Sequence, residues 1–132
     1  MPEVGIVIPV HASALGKAML AFLGEDEQRV LAGELRSMTG ETVTSPERLH
    51  DQLDEVRSAG IAEEQDEAVI GESSLASPVF DSFGEVVGAI AVVMSSGDDL
   101  ARDGVRNLVR ETARAISREL GAAAWPARPT GQ

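Results

Sequence analysis

The chain has no cysteine and no tyrosine, and only one tryptophan and three phenylalanines among its 132 residues. Without thiols there is no disulfide, no thiolate zinc site and no cysteine nucleophile. Basic side chains are scarce as well: 11 Lys and Arg stand against 22 Asp and Glu, a formal charge of −11. Most of the excess lies in residues 25–72, which hold 14 acids and 4 arginines. Such a chain repels phosphate backbones and offers no basic stripe to relieve the repulsion, so it is not expected to bind nucleic acid by itself. Long apolar runs are missing too. None reaches the roughly 20 residues that cross a bilayer, and no charged-then-apolar leader opens the sequence. The expectation is one soluble, cytoplasmic domain without a membrane partner, large enough to bury a core.

What is present centres on residues 73–94, SSLASPVFDSFGEVVGAIAVVM. Two apolar runs, Leu75–Phe80 and Val86–Met94, flank the polar Asp81-Ser82-Phe83-Gly84-Glu85, which reads as an antiparallel hairpin. Val86–Met94 has almost no polar residue on either face, the pattern of a central strand covered on both sides. Upstream, Val4–Val10 reads as a short strand, which Pro9 confines to an edge or an end. Residues 11–24 follow as a helix with Ser13 as N-cap, Leu15, Ala18, Met19 and Phe22 inward, and Gly24 as its stop. Gly16 in its first turn suggests a close backbone approach, by a ligand or by the sheet, and the amides there could hold a carboxylate with help from Lys17.

Residues 25–36 read as a second helix with Val30, Leu31 and Leu35 inward, and 37–44 as a loop. Ser45-Pro46-Glu47 opens a third, with Leu49, Leu53 and Val56 as its apolar stripe and Gly60 as C-cap. Asp98–Leu120 reads as a long final helix whose inner face is Leu100, Val105, Leu108, Val109, Ala113, Ile116 and Leu120. Its acids come early and Arg110, Arg114 and Arg118 late, in keeping with the helix dipole. Residues 122–132 are expected to be a disordered tail, with Trp125 as a possible exception.

Two kinds of chemistry are weighed and set aside. Glu63, Glu64, Asp66, Glu67 and Glu72 crowd one stretch but lack the alternating ligand spacing of a cation loop, so no metal and no cofactor is expected. His11, Ser13, Lys17, Asp66 and Ser74 supply nucleophile and base types. There is no G-x-S-x-G, however, and Ser13 and Lys17 do not have S-x-x-K spacing, so the chain is not expected to be an enzyme.

Four segments, in order, resemble the effector-binding domain of IclR-type transcriptional regulators. They are IPVHASALGKAMLA (8–21), VRSAGIAEE (56–64), GESSLASPVFDSFGEVVGAIAVV (71–93) and the helix running to Leu120-Gly121. The resemblance implies an α+β domain of GAF-like architecture over residues 1–121, an antiparallel sheet flanked by helices and lacking its first strands. It implies a pocket for a small effector, and by position the pocket residues become Ala14, Leu15, Gly16, Glu64, Ser74, Ala91 and Val93. It also implies self-association, with DNA contacted only through a winged helix-turn-helix that is absent from this chain.

The departures from the family pattern shape the rest of the expectation. Ala91 and Val93 stand where the family carries serines, and Ile61 where it carries tyrosine. A pocket that has lost hydroxyls suits a larger, more apolar carboxylic acid, aromatic ones included, with its carboxylate on the amides near Leu15–Lys17. Ser74 would donate a hydrogen bond, and Glu64 would accept one from a ligand hydroxyl. The alternative is a structural oligomerisation remnant whose pocket has filled.

Overall fold

The computed structural model describes residues 7–97 and 102–127. Among them run α1 (Ala14–Leu20), α2 (Gly24–Ala32), α3 (Pro46–Ala59), β1 (Ala62–Gln65), β2 (Glu72–Phe80), β3 (Val86–Ser95) and α4 (Arg102–Glu119). The three strands form one antiparallel sheet in the order β1-β2-β3, so the class is α+β.

Local chemistry accounts for most of the boundaries. Ser13 Oγ accepts from Gly16 N at 2.9 Å and caps α1. Ser45 caps α3 through Arg48 N, with Pro46 at the first helical position. Gly60 closes α3 in the left-handed region (φ 72°), where a side chain would be strained. In the hairpin turn, Asp81 Oδ1 accepts from the amides of Phe83 and Glu85.

The main core lies between α1, α3 and one face of the sheet. Ala14, Ala18 and Leu20 meet Leu49, Leu53 and Val56 there, over Ala62 and Ala76. Phe22 closes the end of the core edge-on against Phe80, with ring centroids 5.0 Å apart. α4 covers the opposite face with Val109, Ala113 and Ser117 buried. There the Ser117 hydroxyl accepts from Phe80 N at 3.0 Å and donates to Ala113 O.

Several expectations are corrected. The strand buried from its second residue to its last, Ser73 to Phe80, is β2, whereas β3 is an outer strand of the described sheet with Val87, Ala91 and Val93 exposed. Its unbroken apolar composition, which reads as burial on both faces, lines a cavity on one side instead. The short strand expected at Val4–Val10 is not formed over residues 7–10. Val10–Ala12 is a 3-10 turn following Pro9, and residues 4–6 lie outside the described residues. Gly24 opens α2 rather than ending α1. α2 buries none of its residues fully, although Val30 and Leu31 pack partly buried against the core as expected, and Leu35 is buried from the loop beyond it. Leu108 on α4 and Leu120 just beyond its end are exposed, while Leu100 is outside the described residues.

After α4 the chain folds back onto the domain as far as it is described, through the Trp125 that the sequence set apart. Trp125 Nε1 donates to Pro78 O at 2.8 Å, and its ring lies against Gly60 so closely that a Cβ there would come within 2.6 Å. Ala127 is buried.

Candidate functional site

Antiparallel register brings distant positions together. Glu64 pairs with Ser74 and Ser74 with Val93, while Ala62, Ala76 and Ala91 form the adjacent row. Side chains alternate along a strand, so 64, 74 and 93 project from the same face. Residues 29 apart in sequence thus become one floor. Above that floor is a cavity of about 190 Å³ lined by Leu15, Glu64, Ser74, Ala91 and Val93. Ile8, Ser13, Ala68, Val69 and Glu72 complete its walls.

Five of the seven residues singled out by the sequence therefore line one cavity. Ala14 and Gly16 do not. Ala14 is fully buried in the core beneath α1. Gly16 is pressed against the 3-10 turn, where an added Cβ would lie 2.4 Å from Val10 O. The close approach that the glycine foreshadowed is made by the chain's own backbone.

The amides of the first turn are also less available than expected. Gly16 N donates to Ser13 Oγ and Lys17 N to Ser13 O, leaving at most the Leu15 amide of the three. Lys17 does not reach the cavity. Its ammonium is 1% exposed and donates to both oxygens of Glu67, at 2.9 and 2.8 Å, and to Gln52 Oε1 at 2.8 Å.

The polar corner of the cavity is Glu64, whose Oε1 accepts from Ser74 Oγ at 2.9 Å and whose Oε2 accepts from Glu67 N at 3.1 Å. Burial pushes its pKa above the ordinary glutamate value, against the lowering pull of those two donors. Among the described residues no Lys, Arg or His lines the cavity. The other clustered carboxylates are committed within the protein. Glu63 pairs with Arg106 at 3.1 Å, and Asp66 Oδ1 accepts from Gly71 N and Ser96 Oγ.

Sequence reasoning missed five lining positions: Ile8, Ser13, which reads only as a helix cap, and Ala68, Val69 and Glu72, which sit in a loop or at a strand end with no distinctive composition. It also missed a larger depression of about 450 Å³ between α3, β1 and α4, into which Ile61 faces. The Ile61 departure therefore concerns that groove and leaves the cavity beside Ser74 unchanged.

Comparison with known proteins bears directly on this arrangement. The profile of the family "Bacterial transcriptional regulator IclR C-terminal" matches residues 1–118. The chain belongs to the IclR C-terminal family. It is 38% identical over 125 residues to the glycerol operon regulatory protein of Streptomyces griseus, covering 91% of this chain and 49% of that protein. It is 35% identical to the DNA-binding transcriptional repressor YiaJ of Escherichia coli K12, covering 89% of this chain and 44% of that one. The fold of the Thermotoga maritima IclR superposes with a TM-score of 0.81 at 29% identity, over 92% of this chain and 51% of that chain. The chain spans about half the length of the curated relatives it matches. Those relatives are named as regulators of transcription, and no helix among the described residues is long and apolar enough to cross a membrane.

Proposed function

We propose that this chain is the effector-sensing part, residues 1–121, of an IclR-type regulator. Its effector is a small, largely apolar carboxylic acid, aliphatic or aromatic. The observation that carries the reading is the cavity itself, in which Leu15, Glu64, Ser74, Ala91 and Val93 converge with apolar walls and one hydrogen-bonded polar corner. That is the general form of a small-molecule site. Ser13 and the Leu15 turn supply the end at which a carboxylate would sit, and Glu64 with Ser74 the end that would meet a hydroxyl. Ligand binding would bias the arrangement of associated copies, and a DNA-binding domain carried elsewhere in the intact regulator would respond to that bias.

A specific observation favours a second reading, a structural remnant without a ligand. The cavity, at about 190 Å³, is smaller than the roughly 300–1,000 Å³ usual for ligand pockets. Among the described residues it also has no cationic side chain to neutralise an acid. A thermal-shift screen against aliphatic and aromatic acids, each beside its neutral amide, separates the two readings. A ligand at 100 times its Kd stabilises by about 2.7 kcal/mol, roughly a 10 °C rise for a domain of this size. Ala91→Phe, which fills the cavity from an exposed position, is the control. Gly16→Leu is unsuitable because its side chain would strike the Val10 backbone. A shift with an acid that Ala91→Phe abolishes is the expected outcome. A shift with the amide alone would reassign the ligand class, and no shift with any compound would favour the structural remnant.

A further inference from the structure

One buried charge has no counterpart in the cavity and yet is tied to it. Lys17, 1% exposed, has its three ammonium hydrogens matched by Glu67 Oε1, Glu67 Oε2 and Gln52 Oε1, all within 2.9 Å. Glu67 is itself 5% exposed, and its carboxylate also accepts from Val43 N at 3.3 Å. The backbone of Glu67 is equally committed. Its carbonyl accepts from Thr42 Oγ1 at 2.6 Å, and its amide donates to Glu64 Oε2 at 3.1 Å. Glu67 thus has its side chain on Lys17 and its amide on the polar corner of the cavity, and the next two residues, Ala68 and Val69, are cavity wall.

We propose that Lys17 is a positioning residue for the cavity: through Glu67 it fixes the Glu64 carboxylate and the Ala68–Val69 wall, without lining the cavity itself. The physical reason lies in the asymmetry of buried charge. A buried ion pair adds little to stability compared with an apolar pair of the same shape, but removing one partner leaves the other charge uncompensated where it is only 5% exposed, at the wall of the larger depression. Deprived of Lys17, the Glu67 carboxylate must leave its place beside Val43 and Gln52 and turn toward water. Its amide and the two wall residues then move with it. The other end of the loop is held separately, by Asp66 through Gly71 N and Ser96 Oγ, so the release is confined to residues 67–69. Lys17 thereby sets the shape of the site from α1, one helical turn away from Ser13, which lines it. This assignment rests on the sensory reading of the cavity for its functional meaning, whereas the structural coupling is measurable without any ligand.

The test is residue-resolved amide hydrogen exchange by NMR on the full 132-residue chain, wild type against Lys17→Met. Exchange at the Glu67 amide, which donates to Glu64, and at the Glu72 amide, which donates to Val69 O, is expected to rise at least tenfold while the amides pairing β2 with β3 keep their protection. Adding Glu67→Gln to Lys17→Met removes the uncompensated charge but keeps an acceptor for Val43 N, and is expected to restore most of the lost protection. Unchanged exchange at the Glu67 and Glu72 amides overturns the proposal. So does a rise spread evenly over the hairpin, which would make Lys17 a general stabiliser only. If Lys17→Met does not fold, Glu67→Gln alone, isosteric with the native side chain, is expected to give the same local pattern at smaller amplitude. A binding arm uses benzoate and octanoate as probes. Affinity at least tenfold weaker in Lys17→Met, recovered in the double variant, supports the positioning role, and unchanged affinity overturns it. If neither probe binds the wild type, the acid-sensing reading loses support while the exchange pattern still decides the role of Lys17.

Discussion

Glu64 concentrates the chemistry of the cavity in one residue. It is 6% exposed, and burial raises its pKa above the ordinary value of 4.5 despite the donors Ser74 and Glu67 N. An acid whose pKa is raised on folding stabilises the fold in its protonated form. That contribution is complete below about pH 4.5 and disappears as pH rises through the raised value. Glu64→Gln, neutral throughout, is therefore expected to be at least as stable as the wild type at pH 7.5, with an advantage that shrinks as pH falls toward 4.5. Urea unfolding at several pH values measures this, and an advantage independent of pH would remove desolvation as the cause. At this scale the sequence was legible where a residue type has one use. Ser13, Ser45 and Gly60 stand as caps because a hydroxyl or a missing Cβ has few other roles at a helix end. It was not legible for Lys17. A lysine on a helix normally reaches solvent, and only the fold shows Glu67 and Gln52 enclosing it.

Among the elements, the docking of α4 on the sheet turns on a single hydroxyl. Ser117 is fully buried, accepts from Phe80 N at the last residue of β2 and donates back to Ala113 O. Ser117→Ala strands the Phe80 amide in a dry interface, where an unsatisfied donor costs about 1–3 kcal/mol. A loss of that size in denaturant unfolding is expected, whereas a loss below about 0.5 kcal/mol would mean that water replaces the hydroxyl. Nothing in the periodicity signals this, since a serine in a helix interior reads as an ordinary exposed position. Element type and order were legible from periodicity over α3, β2, β3 and α4. The relative burial of β2 and β3 was not. Both runs are apolar, and which becomes the middle strand depends on pairing with β1, a four-residue strand of mixed composition.

For the molecule as a whole, the exposed apolar surface of β3 and its turn is the feature with consequences for assembly. Val87 is 53% and Phe83 87% exposed, and β3 carries no charge along ten residues. Natural sheets protect such outer strands with lysine or proline, or cover them. Self-association through this strand is the expected state, and Val87→Lys is expected to shift the sedimentation profile toward monomer at equal concentration. A wild type that sediments as a monomer would remove the basis for that expectation.

By itself the sequence determined the family, the α+β class, the caps, the hairpin and five of the residues around the cavity. These follow from local rules of turn chemistry and periodicity and from four motifs in fixed order. Only the tertiary structure decided that Gly16 makes room for the Val10 backbone, that Lys17 is enclosed by Glu67 and Gln52, and that Glu64, Ser74 and Val93 form one floor. Those outcomes depend on which distant segments meet, and strand register and helix packing set that jointly across the whole chain.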